Sequence, residues 1–270
     1  MSLRLSKHHG LGNDFLVALV DHLPRDASAK AAEWCDRRTG VGADGLIFGL
    51  PSSSGDISMR LWNSDGSAAE LSGNGLRCFG QAVARSQNTA TLELDVDTPA
   101  GIRHCSIHPS TDPATVVATV DMGVVNPGPN PDVTDLLAVV GAPVAAVKRW
   151  KTGNIGNPHV VCDVDNPDDI DLSVAGPAIE AHFSEGANVH FVAVTGLNEL
   201  TVRVWERGAG ITNACGTGAT VSAALFRDWG LVESKVVVHM PGGDARVDLS
   251  GPITLTGPAT HVADLDMPYV

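Results

Sequence analysis

Ser72 and Cys215 occupy one position in two copies of the same pattern. RLWNSDGSAAELSGNG, from Arg60, lies over RVWERGAGITNACGTG, from Arg203, without a gap. Trp62 then matches Trp205, Gly73 matches Gly216, Gly75 matches Gly218, and each of the two side chains stands 12 residues after its arginine. Weaker echoes keep nearly the same frame: Asn13 lies 59 residues before Ser72 and Asn157 lies 58 before Cys215, while Gly45 and Asn188 each lie 27 before. A helix N-terminus presents unpaired N–H groups and the positive end of its dipole, so it binds a carboxylate and can draw a thiol's pKa down from about 8.5 toward neutrality. Two such ends facing each other would hold one anion between them. An amino acid gripped there by its α-carboxylate would show its α-hydrogen to one side chain and its empty face to the other. That is the geometry of two-base racemisation: a thiolate takes the proton, the charge spreads onto the carboxylate, and a thiol opposite returns a proton, with no pyridoxal phosphate. Plainer roles exist, since serine is a good N-cap and cysteine a small buried residue. Either accounts for one position alone; neither accounts for the shared frame.

The elements that must carry these side chains are legible from periodicity. Helices are expected at Gly73 to Ser86 and Gly216 to Trp229, apolar on most faces and therefore buried, the second ending at Gly230. Leu16 to Val20 and Gly45 to Phe48 read as strands, with a helix over Asp26 to Arg38 between them. Ile57 to Trp62, Thr91 to Val96, Gly101 to His108 and Thr115 to Val120 alternate like antiparallel strands, and the Pro- and Asp-rich stretch from Pro127 to Asp135 marks a connection. Gly40, Gly42 and Gly45 satisfy GxGxxG, but helix precedes and strand follows, the reverse of a dinucleotide site, so a tight turn is the better reading.

Composition bounds the answer. A chain of 270 residues forms one large domain or two of about 130, and the internal echo favours two. A net charge of −13 with 18 Lys and Arg opposes binding to nucleic acid or an anionic membrane. The longest apolar run, Leu136 to Val147, is 12 residues long and broken by Gly141 and Pro143, and no leader pattern precedes the first strand, so a soluble cytoplasmic protein is expected. Cys35, Cys78, Cys105, Cys162 and Cys215 are odd in number with no CxxC pair, which suits reduced thiols. The histidines show no HExxH or HxH; His8 with His9, and His104 with His108, read as surface residues, and no metal is expected.

GLGNDF from Gly10, TGVGADG from Thr39, WNSDGSAAELSGNGLRCF from Trp62, GNPH from Gly156, NVHF from Asn188 and WERGAGITNACGTG from Trp205 cover the chain in order. In these strings the sequence resembles the diaminopimelate epimerases. The resemblance implies an α/β (α+β) fold of two pseudosymmetric lobes, each a mixed or antiparallel sheet wrapped around a central helix. One lobe is placed at residues 1–117 with 262–270, the other at 118–261, and the active site in the cleft between them. It implies cofactor-independent epimerisation of LL- to meso-diaminopimelate, feeding lysine and cell-wall synthesis. By motif, Cys215 and position 72 carry over as the acid/base pair, with His159 and Glu206 assisting. Outside these motifs His159 would be a turn residue and Glu206 half of a salt bridge. Arg207 would clamp the distal carboxylate in a fork, Asn13, Asn63, Asn157 and Asn188 would meet the remaining carboxylate and ammonium groups, Glu206 would balance an ammonium, and the backbone at Gly73, Asn74, Gly216 and Thr217 would take the α-carboxylate. The implied partner is a small-molecule substrate, with a homodimer also in view.

The chain departs from the family pattern at Ser72, where cysteine is expected. A hydroxyl holds its proton far more tightly than a thiol, so the two-thiol mechanism cannot run as written. An engineered silencing change, a natural Ser/Cys pair of the kind found in the wider superfamily that includes proline racemase, and a natural pseudoenzyme all fit. Ile211 stands where Glu is usual, outside the substrate set, and Ala263 where an aromatic residue often anchors the C-terminal strand, which weakens the case for a dimer. A silent amino-acid-binding protein and a racemase for another amino acid are the rival functions. Arg207 with Asn63 and Asn188 argues for a second carboxylate, and a phenazine-type isomerase lacks the Cys215 motif.

Overall fold

The computed structural model describes residues 2–268. Contacts divide the chain into two units, Met1–Asp121 with Thr256–Val270, and Met122–Leu255. The boundaries expected after residues 117 and 261 fall inside strands. Thr119 in one strand and Thr256 in another share a 2.8 Å hydroxyl contact, so both belong to the first unit.

The first unit runs β1 (Ser2–Gly10), β2 (Asn13–Leu19), α1 (Ala27–Trp34), β3 (Gly45–Leu50), β4 (Ile57–Asn63), β5 (Ala68–Ala69), α2 (Gly73–Ser86), β6 (Leu92–Thr98), β7 (Gly101–Pro109) and β8 (Thr115–Gly123). The second runs β9 (Asn126–Pro127), α3 (Leu136–Val140), β10 (Arg149–Asn154), β11 (Pro158–Asp163), α4 (Leu172–Glu180), β12 (Asn188–Gly196), β13 (Glu199–Glu206), β14 (Gly210–Thr212), α5 (Gly216–Asp228), β15 (Lys235–Met240) and β16 (Gly243–Asp248). Last comes β17 (Ile253–Pro268), most of which lies in the first unit.

In the first unit the order β1, β2, β3, β4, β6, β7, β8, β17 closes on itself, a ring of eight strands. The β2–β3 and β4–β6 pairs are parallel, and β1–β2, β3–β4, β6–β7, β7–β8 and β1–β17 are antiparallel. Closure removes sheet edges and leaves an interior that must be filled. Helix α2 fills it: Gly73 to Ala84 are all buried. Small residues make the fit possible, since a Cβ on Gly80 would stand 2.6 Å from Cys105 Sγ on β7. The outer faces of β2 and β3 send Leu16, Ala18, Leu46 and Phe48 against Ala27, Ala31 and Trp34 of α1.

The second unit repeats this plan. β10–β11 is antiparallel, β11–β12 parallel, β12–β13 antiparallel, β13–β15 parallel and β15–β16 antiparallel. The register repeats with it. Phe15 faces Gly45 as His159 faces Asn188, and Trp62 faces Leu46 as Trp205 faces Val189. Short strands β5 and β14 then lead into α2 and α5 at matching places. The fold is thus α+β with two pseudosymmetric lobes.

Local differences from the sequence reading have identifiable causes. Helix α1 ends at Trp34, short of Arg38, because Arg37 turns back to pair with Asp14 and Asp44 instead of extending the helix. Strand β1 has no clean alternation and so carries no strand signal of its own; its partners β2 and β17 hold it. His8 is a correction: it is fully buried, with Nδ1 2.8 Å from Gln81 Oε1 and Nε2 2.8 Å from Ser6 Oγ, and burial lowers its pKa to about 4. His104 and His108 are exposed as expected.

Candidate active site

Cys215 is the residue before α5, in extended backbone (φ −128°, ψ 107°), and its sulfur accepts from the Gly218 N–H at 3.4 Å. Ser72 stands before α2 in nearly the same conformation (φ −137°, ψ 120°), and its Oγ accepts from Gly75 N–H at 3.0 Å. Both are N-caps, and in both cases the first-turn N–H groups of a buried helix project past the cap. Ser72 is partly exposed, whereas Cys215 is buried.

Around Cys215 the second lobe assembles a connected set. Thr217 Oγ1 lies 3.5 Å from the sulfur. Asn157 Nδ2 donates to Thr217 Oγ1 at 3.4 Å, and Asn157 Oδ1 lies 2.8 Å from His159 Nε2. His159 Nδ1 lies 2.8 Å from Nε2 of His190, a fully buried residue that the sequence reading left without a role. On the other side the Cys215 thiol meets the Glu206 carboxylate, which also accepts from Thr212 Oγ1. Asn188 gives Nδ2 to Pro158 O at 2.9 Å and takes Arg207 N–H on Oδ1 at 3.1 Å, pinning the end of β13 to β11. The exposed Arg207 guanidinium donates to Glu185 O at 2.9 Å. His159, His190 and Cys215 place nitrogen and sulfur atoms within 4.8 Å of one another. The two imidazoles spend their facing nitrogens on each other, and the helix end points the Gly218 N–H at the sulfur.

Electrostatics corrects one expectation. Burial pushes the Cys215 thiol well above its ordinary pKa and the Glu206 carboxylate adds to this, outweighing the donors Thr217 and Gly218, so the free protein holds a thiol where a lowered pKa was anticipated. Burial also drives the imidazoles down, His159 well below its usual value with help from His190 and Arg207, and His190 to about 3. Both rings are neutral at pH 7.

The first lobe surrounds Ser72 differently. Arg77, fully buried on α2, donates from Nη2 to Asn74 Oδ1 and from Nη1 to Pro258 O at 3.0 Å. Asn74 Nδ2 donates to Asn13 Oδ1 at 3.0 Å, and Asn13 Nδ2 to Asp44 Oδ2 at 2.7 Å. Arg37 bridges Asp44 (2.7 Å) and Asp14 (2.6 Å), and Lys7 reaches Asp14 at 2.9 Å. Asn63 is exposed and bonds Ser67 Oγ at 3.0 Å. Each lobe therefore gathers its own share of the expected residues: Asn13, Asn63, Ser72, Gly73 and Asn74 in the first, and Asn157, His159, Asn188, Glu206, Arg207, Cys215, Gly216 and Thr217 in the second. The missed members are Arg77, Asp44, His190 and Thr212. All sit inside quoted motifs, so proximity to those strings was the available signal.

The model of one protein family, described as Diaminopimelate epimerase, matches residues 5–127 and 152–262. The diaminopimelate epimerase of Desulfitobacterium hafniense is 40% identical over 279 residues, covering 96% of each chain. That of Bacteroides thetaiotaomicron is 38% identical over 271 residues, covering 98% of each. Among solved structures, a hydroxyproline epimerase from Agrobacterium vitis superposes with TM-score 0.72 at 16% identity, covering 98% of this chain and 92% of that one. A predicted epimerase from Pseudomonas aeruginosa gives 0.76 at 16% identity, covering 99% and 100%. At that identity the last two show the fold alone.

Proposed function

Because this chain belongs to the diaminopimelate epimerase family, we propose that it is an isomerase that inverts one α-carbon of diaminopimelate, LL to meso, with Cys215 and Ser72 addressing opposite faces of that carbon. The observation that carries this is the duplicated cap: two helix N-termini of one backbone conformation, each with an acid/base-type side chain at the same position. Glu206 accepts the Cys215 proton, and the thiolate so formed removes the α-hydrogen. The C–H electron pair moves into the substrate carboxylate, held by N–H groups at Gly73, Asn74, Gly216 and Thr217. The Ser72 hydroxyl delivers a proton from the other side, leaving an alkoxide that the Gly75 N–H and the helix end must hold until a proton returns. That last step is costly, so inversion is slow relative to exchange on the Cys215 side. Arg207, Asn63 and Asn188 attend the distal end, Asn13 and Asn157 the α-substituents, and His159 backs the site through Asn157. The charge stabilisation comes from the protein's own helix ends, so no pyridoxal phosphate enters. Five buried, unpaired cysteines suit a reducing cytoplasm, where lysine biosynthesis proceeds.

A second reading, an amino-acid binder without turnover, is favoured by one contact: Ser72 Oγ already serves as the cap acceptor for Gly75. Incubating each stereoisomer of diaminopimelate with the protein in heavy water and following the α-hydrogens by NMR separates the two. Exchange from one stereoisomer with slow inversion supports the enzyme. Protection of the protein by ligand with no exchange from any stereoisomer supports the binder and rejects the enzyme.

A further inference from the structure

The duplicated lobe supplies an internal control for His190. The strand registers make Ile47 the counterpart of His190 and Phe15 the counterpart of His159. A Cβ on Gly75 would meet Ile47 Cδ1 at 3.4 Å, and one on Gly218 would meet the His190 ring, so both side chains occupy the space beneath a helix N-terminus. The fold fills that space with hydrocarbon in one lobe; packing does not call for histidine in the other.

The hydrogen bonds indicate what the imidazole supplies. Asn157 Oδ1 can only accept, so His159 must carry its proton on Nε2. His159 Nδ1 is then a bare acceptor, and His190 Nε2 must donate to it. The opposite nitrogen of His190, Nδ1, is buried with no partner, a cost the protein bears to keep the donor on the other side. Onward from His159, Asn157 Nδ2 donates to Thr217 Oγ1, and Thr217 Oγ1 stands 3.5 Å from Cys215 Sγ. Either atom of that last pair can donate to a thiol, but a thiolate only accepts, so with Cys215 ionised every donor points one way. We propose that His190 is a positioning residue that starts a one-directional chain of hydrogen-bond donors, through His159, Asn157 and Thr217, ending on the sulfur of Cys215 and steadying its thiolate. Such chains polarise cooperatively, so the first donor is felt at the last acceptor. The charged groups facing the chain are the Arg207 guanidinium toward His159 and the Glu206 carboxylate toward Cys215; the first reinforces the neutral imidazole and the second opposes the thiolate.

The inference rests on the reading of Cys215 as a base, but part of its test does not. Side-chain ¹⁵N NMR of the unaltered protein must show both His159 and His190 protonated on Nε2; a proton on Nδ1 of His159 overturns the proposal whatever the activity. H190I, which copies the sister lobe, should keep the fold by circular dichroism, leave His159 Nδ1 without its donor and so move its ¹⁵N resonance, and shift the Cys215 ¹³Cβ titration to higher pH. It should also slow α-hydrogen exchange about three- to tenfold through kcat with KM unchanged, the size of one hydrogen bond in a polarised chain. H190Q, whose amide can donate to Nδ1, should recover much of the loss. An H190I protein with the His159 Nδ1 resonance and the Cys215 titration unmoved defeats the proposal. Absence of exchange in the parent chain defeats the epimerase reading while leaving the tautomer result to stand.

Discussion

The two lobes share a backbone and run their polar networks in opposite directions. In the second, Asn157 donates to Thr217, and the chain of donors runs toward the cap at Cys215. In the first, Asn74 holds the place of Thr217 and Asn13 that of Asn157, but Asn74 donates to Asn13, which donates to Asp44, so the chain runs away from Ser72. Its origin is Arg77, a guanidinium whose pKa burial lowers to about 10 and which, among the described residues, bonds an amide and a backbone carbonyl. One lobe thus places a cation behind the helix end and an ion-pair cluster beyond it; the other places neutral imidazoles beneath the cap and a carboxylate beside it. Duplication preserves the hydrogen-bonded frame because registers and helix packing are unforgiving. The side chains around the cap are free to diverge, and the proposed mechanism draws on that divergence by making Cys215, beside Glu206, the base and Ser72 the proton donor.

Substitutions that equalise or break the two caps probe this contrast. The largest effect is expected from Cys215→Ala, which removes the thiol at the N-cap of α5: α-hydrogen exchange measured by NMR should fall by about 10³-fold or more, and persistence of exchange would move the base elsewhere. Ser72→Cys should go the other way, raising LL-to-meso inversion by about 10²- to 10⁴-fold; robust inversion before the change and none gained after it would make serine a competent partner.

Next in size is a pair of glycines. A Cβ on Gly218 would stand 2.0 Å from His190 Cε1, and one on Gly75 would stand 3.1 Å from Ser72 Cβ. Gly218→Ala should therefore cost about 1–3 kcal/mol, while Gly75→Ala should change urea stability by under about 1 kcal/mol; equal costs would mean that the two caps are packed alike. The smallest effect concerns the ion-pair cluster. Burial raises Asp14, but hydrogen bonds from Arg37 and Lys7 outweigh it and hold its carboxyl below the ordinary value. Its contribution is complete above the unfolded pKa of about 4 and fades as pH falls below that. Asp14→Asn should flatten the acid limb of the thermal stability curve by under about 1 kcal/mol, and an unchanged limb would discount the cluster.

Much of this was readable from residue order. The two buried helices, their starting residues and the repeat frame were legible because small residues after a cap, and apolar residues all round, have few other uses. Helix α1 was overextended because Arg37 looks like a helix-ending base until Asp14 and Asp44, remote in sequence, claim it. His8 reads as a surface histidine because nothing local announces Gln81 as its partner, and His190 has no role in the sequence because nothing local announces His159.

The sequence alone determined the family frame, the positions of Ser72 and Cys215 at equivalent helix starts, and the acidic surface, since these depend on spacing and composition. Only the tertiary structure decided that Cys215 is buried beside Glu206 as a thiol, that His190 lies beneath it, and that the two asparagine networks point in opposite senses. Protonation and hydrogen-bond direction depend on which distant groups share a dry environment, and that is settled only when strands far apart in the chain are brought into register.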